Sequence, residues 1–246
     1  MEGLFKVEYE MEGRAGHSVM HVQAGRMIGG NTAFALFGKC RQIDGEIAAE
    51  IDTQRHHPSR TYPNLLEADE VSIRMRGKLQ GQAYRFTGEV IQEPGKEFRA
   101  LMTPFNDDDI APPGRVGEGG IVNGLYALEM RMPEGPVRVD TGVMLLYDGR
   151  ILGSDAFFYY VGVYSSSNGR WKGEFVNQEH TSAKLARPLF SGREVGLGFS
   201  GPCDATSADA DAFALAGKFS VRFAAKLKLI RPCGVEDEPI QYPHSE

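Results

Sequence analysis

Glu50, Asp52, Gln54 and His56 occupy alternate positions of one stretch, and Glu174, Gln178 and His180 repeat that spacing about 124 residues later. A carboxylate, an amide and an imidazole spaced by two fall on one face of a β-strand. Such a set can orient a polar ligand at the mouth of a barrel, or supply a general acid and a general base. The same alternation also marks an amphipathic strand whose polar side meets water, and that is the first reading of both stretches. Duplication copies a solvent face as faithfully as a site. Glu50, Gln54, His56, Glu174, Gln178 and His180 are thus the candidate ligand-binding residues, and no catalytic set is assigned.

Other chemistries find less support. His56-His57, with His17 and His21, offers imidazoles for a metal, but adjacent strand residues point to opposite faces and cannot chelate together in regular β structure. No metal or cofactor is expected. Gly-x-Ser-x-Gly is absent, and Ser165-Ser166-Ser167 sits just before a turn, so no serine nucleophile stands out. Lys218, Arg222, Lys226 and Lys228 line the polar side of the alternating run Phe219 to Leu229. Nucleic-acid binding would set aromatics among those cations. Here the aromatics take the opposite face, and lysines guarding a sheet against edge pairing are the expected reading.

The elements that must position these residues come in two copies. Gly25-Arg26-Met27-Ile28-Gly29-Gly30 returns as Gly149-Arg150-Ile151-Leu152-Gly153-Ser154. At the same offset Phe34 meets Phe158, Gly38 meets Gly162, Gly45 meets Gly169, and Val71, Ile73, Met75 and Gly77 meet Val195, Leu197, Phe199 and Gly201. A period this long exceeds the roughly 20–50 residues of a solenoid or propeller unit. Each copy is therefore a small domain with its own core.

Within each copy, runs such as Phe5, Val7, Tyr9 and Met11 alternate with Lys6, Glu8 and Glu10, the period of a half-buried strand. Ala24-Gly25, Asp44-Gly45, Asp148-Gly149 and Asn168-Gly169 separate apolar runs as hairpin turns do. No helical pattern follows the recurrent glycines, so they are turn residues rather than a phosphate cradle. About eight antiparallel strands per copy, joined by short turns, predict an all-β chain of two tandem up-and-down barrels, with a sandwich as second choice. The expected divisions are a first barrel over 1–104, a linker over 105–121, a second barrel over 122–232 and a flexible tail over 233–246. One short helical turn is expected through Leu65-Leu66-Glu67.

With 246 residues, 41% of them hydrophobic, the chain has material for two cores. Its net charge of −6 does not suit a polyanion binder, and no apolar run reaches the roughly 20 residues of a membrane helix. Met1-Glu2-Gly3-Leu4-Phe5-Lys6 lacks a secretory pattern. Cys40, Cys203 and Cys233 are three and scattered, which suits neither a disulfide framework nor a zinc site. A cytoplasmic protein is expected, with neither membrane nor direct nucleic-acid partners.

Gly3-Leu4-Phe5-Lys6-Val7-Glu8-Tyr9, Gly25-Arg26-Met27-Ile28-Gly29-Gly30-Asn31, Gly38 and a strand ending in His56 resemble GrlR-type proteins, small bacterial negative regulators of type III secretion genes. Asn123-Gly124-Leu125-Tyr126, Gly149 to Asp155, Gly162 and His180 repeat the pattern. The resemblance implies lipocalin-like (calycin-type) eight-stranded barrels that pair as dimers and act by binding a partner protein, a transcriptional activator. Here it implies two such barrels in one chain, with an intramolecular pseudo-dimer or a homo-oligomer as the corresponding assembly. The family's Glu-Asp-Glu-Asp run is replaced by Ile43-Asp44-Gly45-Glu46 and Ser166-Ser167-Asn168-Gly169. Asp107-Asp108-Asp109 and Glu236-Asp237-Glu238 are acidic but fall in linker and tail. The resemblance thus carries the barrel further than it carries the activator contact.

Three functions are weighed. The first is a non-enzymatic regulatory protein acting through protein contacts. The second is a small-ligand carrier using a barrel interior; the bulk of Phe5, Tyr9, Phe37, Tyr126, Phe157 and Tyr159 predicts filled barrels instead. The third is an enzyme built on His56 or His180 with Glu50 or Glu174.

Overall fold

The computed structural model describes residues 1–57, 69–105, 111–131, 139–186, 190–216 and 219–233. Leu65-Leu66-Glu67, Asp107-Asp108-Asp109, Lys218 and the tail from 234 onward lie outside the described residues.

The chain forms two closed, wholly antiparallel barrels of eight strands. The first comprises β1 (Gly3–Met11), β2 (Arg14–Gln23), β3 (Arg26–Gly30), β4 (Phe34–Ile43), β5 (Glu46–Arg55), β6 (Glu70–Gln80), β7 (Ala83–Val90) and β8 (Glu93–Pro104), with β8 closing on β1. The second comprises β9 (Gly124–Arg131), β10 (Val139–Tyr147), β11 (Arg150–Ser154), β12 (Phe158–Ser167), β13 (Arg170–Glu179), β14 (Val195–Pro202), β15 (Ser207–Ala216) and β16 (Phe219–Pro232), with β16 closing on β9. Each strand's neighbour in sequence is its neighbour in space, the up-and-down order, and closure leaves no unpaired edge.

Local chemistry sets the hairpins. Ala24, Asp44, Asp148 and Asn168 have φ of 46–51°, and the glycine after each has φ of 74–81°. Two successive positive φ angles make the tight turn whose twist matches that of paired strands, and glycine takes the second place without strain. The recurrent turn glycines are thereby accounted for.

Three apolar clusters hold the molecule. Phe5, Val7, Met20, Ile51, Ile73 and Met75 belong to the first barrel's core; Tyr126, Leu146, Phe158, Trp171, Phe175 and Phe199 belong to the second's. The third cluster lies between the barrels and joins Val19, Ile28, Ala35 and Phe37 to Leu125, Val143, Leu145, Leu152, Tyr159 and Val161. There β2 packs on β11 and β3 on β10, strand pairs that the repeat's offset exchanges. Gln23 and Tyr147, equivalent in the two copies, meet each other: the amide Nε2 donates to the phenol at 2.8 Å. Tyr159 donates its hydroxyl to the Val7 carbonyl at 3.1 Å, and the Arg231 guanidinium lies 3.6 Å from the Phe37 ring centre. Full burial of one valine or leucine contributes about 1.5–3 kcal/mol. Val19, Leu125, Val143, Leu145 and Leu152 are all fully buried, so parting the barrels would expose a continuous apolar face.

The stretch read as a linker is bound along the second barrel over its described part. Val116 bridges Ser166 in parallel, Gly117 N–H donates to the Ser166 carbonyl at 2.8 Å, and Asn168 and Gly169 donate to the carbonyls of Glu118 and Gly119. Ile121 is buried in the second core. Glycine and proline content marked this segment as irregular, but its backbone groups find partners on β12 and its following turn.

Candidate functional site

The two interiors differ, and the difference is written in equivalent residues. In the second barrel the tilted rings of Trp171 and Phe199 pack with centres 4.4 Å apart and those of Tyr160 and Phe175 5.3 Å apart, while Phe190 packs on Phe223 at 5.6 Å. A void of only about 50 Å³ remains there. At the positions of Trp171, Phe175, Phe199 and Tyr160 the first barrel carries Ile47, Ile51, Met75 and Leu36. Four rings become four aliphatic chains, three of which, Leu36, Ile51 and Met75, line a cavity of about 500 Å³. That volume lies within the range of small-molecule pockets. Its wall is apolar, with Val7, Met20, Ile51, Ile73, Met75 and Met102 among its lining. The core residues Val22, Met27 and Phe86, toward the Ala24-Gly25 end, are not part of that lining.

The expectation of two filled barrels therefore needs correction. Phe37 and Tyr159 point outward into the contact between barrels, and only the second barrel is filled. β12 is buried on both faces, one in its own core and one against the sister barrel, so its aromatics could not be assigned inward from sequence.

Polar groups gather at the cavity's upper part and rim. Asn31 Oδ1 accepts the N–H groups of Ala33 at 3.1 Å and Phe34 at 3.0 Å, and its Nδ2 donates to the Tyr9 hydroxyl at 2.9 Å. A Cβ at Gly16 would fall on the Tyr9 ring, so glycine there is what lets the phenol lie against β2. Burial pushes the Tyr9 phenol pKa up to about 12. Ser18, beside Val7 in the pairing of β1 with β2, is fully buried, lines the cavity, and makes no hydrogen bond to protein.

The second barrel supplies part of the rim through Asp155, Ala156, Phe157, His180 and Thr181. The His180 ring stacks on His17 of the first barrel at 4.1 Å, and Tyr159 lies 4.7 Å away. Burial, reinforced by the positive potential of His17, brings the His180 pKa down to about 4 against the opposing pull of Asp155. His17 is lowered by burial as well, with Glu8 acting in the other direction. Both imidazoles are consequently neutral at pH 7. Asp155 does in the second copy what Asn31 does in the first: Oδ1 accepts Phe157 and Phe158 N–H at 2.8 Å each, and Oδ2 accepts the Tyr160 hydroxyl.

The six candidate residues do not assemble. Strand alternation gives the interior of β5 to Ile47, Ala49 and Ile51, so Glu50 and Gln54 face water, where Glu50 pairs with Arg74 at 3.5 Å. Glu174 is exposed on β13 for the same reason. Gln178 is half-buried and accepts the Lys6 ammonium from the other barrel. His56 braces the loop before β4: its Nε2 donates to the Asn31 carbonyl at 3.0 Å and its backbone N–H to the Ala33 carbonyl at 2.9 Å. His180 repeats both contacts, with Asp155 at 3.2 Å and Phe157 at 2.9 Å. The recurrence of histidine thus has a structural cause, and of the six only His180 reaches the cavity rim.

Tyr9, Ser18 and Asn31 escaped the sequence reading. The available signal was a hydroxyl at an inward position of β2, in the series Gly16, Ser18, Met20, Val22. Among the described residues no group of three or more His, Cys, Asp or Glu could hold a metal. Two of the stripe's cations face acids across the β15–β16 pairing: Asp211 pairs with Arg222 at 2.9 Å, and Asp209 lies opposite Lys226, while Lys228 lies opposite Ser207.

No family model matches the chain, and no curated protein matches it. A solved structure from Bacteroides fragilis, described as that of a candidate outer membrane protein, is similar over 93% of this chain and 96% of its own, with 7% identity and a TM-score of 0.25. So low a score supports no functional inference.

Proposed function

We propose that this protein is a non-enzymatic binder of a small, largely apolar molecule, held inside the first barrel and braced by the second. The supporting observation is the asymmetry of the two cores: equivalent positions carry rings where the barrel is solid and aliphatic chains where it is hollow. Hydrophobic burial favours compact packing, so a cavity of about 500 Å³ weakens the fold unless something occupies it. The free thiols Cys40, Cys203 and Cys233 accord with a reducing, cytoplasmic setting. Titration of the full chain with the neutral fluorescent dye N-phenyl-1-naphthylamine tests the reading. One saturable site per chain with blue-shifted emission is expected; no saturable binding, or two equal sites, would overturn it.

The regulatory reading, a GrlR-like protein acting on a partner protein, stands second. Its support is an exposed apolar strip on the second barrel, where Phe213 (52% exposed) and Leu215 (77% exposed) lie near the side-chain-free outer positions Gly196 and Gly198. Exposed aromatic and aliphatic groups grouped on the outer face of a barrel suit protein contact. Phe213→Lys should then abolish capture of a specific protein partner while leaving dye binding intact.

A further inference from the structure

We infer that the occupant of the first barrel is an uncharged amphiphile, an apolar chain or ring system bearing one hydroxyl or carbonyl group that hydrogen-bonds to Ser18 Oγ. The inference rests on the carrier reading above and narrows it to a chemical class.

Ser18 is the odd group in its surroundings. Its side chain is fully buried on the inner face of β2, opposite Val7 and one inward position from Met20, and its hydroxyl has no protein partner. A buried hydroxyl is normally paired, because leaving it unpaired forfeits its hydration without return. Here the space it faces is the cavity itself. A hydroxyl can donate and accept, so it pairs equally with an alcohol or a carbonyl. Tyr9 adds a second handle: its oxygen accepts from Asn31, leaving the phenolic proton as a donor.

The lining also argues against charge. Tyr9 aside, the ionisable groups among the described lining residues are Arg14, His17, Asp155 and His180. Arg14 is exposed, and the other three stand at the junction with the second barrel. None reaches the apolar wall, so a carboxylate or ammonium drawn down to Ser18 would be buried without a counter-charge, which is costly. The raised pKa of Tyr9 reports the same hostility to ionisation. Among the described residues an anion could be held only at the rim, on Arg14, with Ser18 left unpaired.

Displacement of N-phenyl-1-naphthylamine from the full chain at pH 8 by decan-1-ol and by decanoate distinguishes these cases. Decan-1-ol should compete at least tenfold more strongly than decanoate. Ser18→Ala, with the dye affinity titrated separately for the variant, should weaken decan-1-ol about five- to tenfold, the worth of one hydrogen bond, and raise the melting temperature of the ligand-free protein. That rise shows the variant to be folded. Decanoate competing as well as decan-1-ol and losing affinity in Arg14→Gln would overturn the inference in favour of a rim-held anion. An unaltered decan-1-ol affinity in Ser18→Ala would overturn it too. If the dye binds but neither compound displaces it, the inference falls and the carrier reading stands; if the dye itself does not bind, the carrier reading fails.

Discussion

Ala100→Phe puts the hollow-barrel claim at risk most directly. Ala100 lies on β8 opposite Tyr9 and lines the cavity. Ala225 holds the matching place in the second barrel, on β16 opposite Met130, beside the void of about 50 Å³. A phenyl group adds roughly 100 Å³, and filling cavity recovers about 24 cal/mol per Å³, or about 2 kcal/mol. Ordering the new side chain returns about 0.5–1 kcal/mol of that. The net gain of about 1–2 kcal/mol should raise Tm by about 3–6 °C in a chain of this size. The ring stands across the bore beside Ser18 and Tyr9, so dye affinity should fall at least tenfold. Ala225→Phe asks the same volume of a void half that size, and overpacking should cost about 1–3 kcal/mol while dye binding persists. Scanning calorimetry and dye titration of the two variants provide the contrast. If Ala100→Phe destabilises as Ala225→Phe does, or leaves dye binding unchanged, the first barrel is not hollow and the functional proposal loses its foundation.

Three further outcomes are expected. The His17–His180 stack should make the protein acid-sensitive: both folded-state pKa values lie below the ordinary histidine value, so their stabilisation is complete above about pH 6.5 and lost as pH falls toward the His180 value of about 4. Tm measured from pH 7.5 to 4.5 should fall less steeply in His180→Gln. Asp155→Ala should cost about 3 kcal/mol, since two backbone N–H groups and the Tyr160 hydroxyl lose a charged acceptor. Asp155→Asn, which installs the first copy's own residue, should recover most of that loss in a denaturant titration. Glu50→Ala and Glu174→Ala should leave Tm within about 2 °C and dye binding unchanged, as expected for solvent-facing carboxylates; a tenfold loss of binding in either would restore the polar stripe as a site.

The duplication, the strands and the hairpin turns were legible because each is local. Period-two alternation, paired turn residues such as Asp44-Gly45 and the fixed offset between copies need no long-range information. Two closed barrels followed from them, since eight amphipathic strands in series hide their edges most simply by closure. The ring-for-aliphatic exchange at Ile47, Leu36, Ile51 and Met75 was also present in the sequence, yet its meaning depended on knowing which positions point inward.

That choice belonged to the tertiary structure. Alternation distinguishes two faces of a strand but not inside from outside once both are apolar. The first half of β4 and β12 are covered on both sides, in their own cores and against the sister barrel, so Phe37 and Tyr159 looked like interior bulk when they are interface. Glu50 and Gln54 looked like a site because they share a face, and closure turned that face to water. Ser18 became significant only when eight strands came round to enclose it, leaving a hydroxyl among aliphatic chains with no protein group in reach.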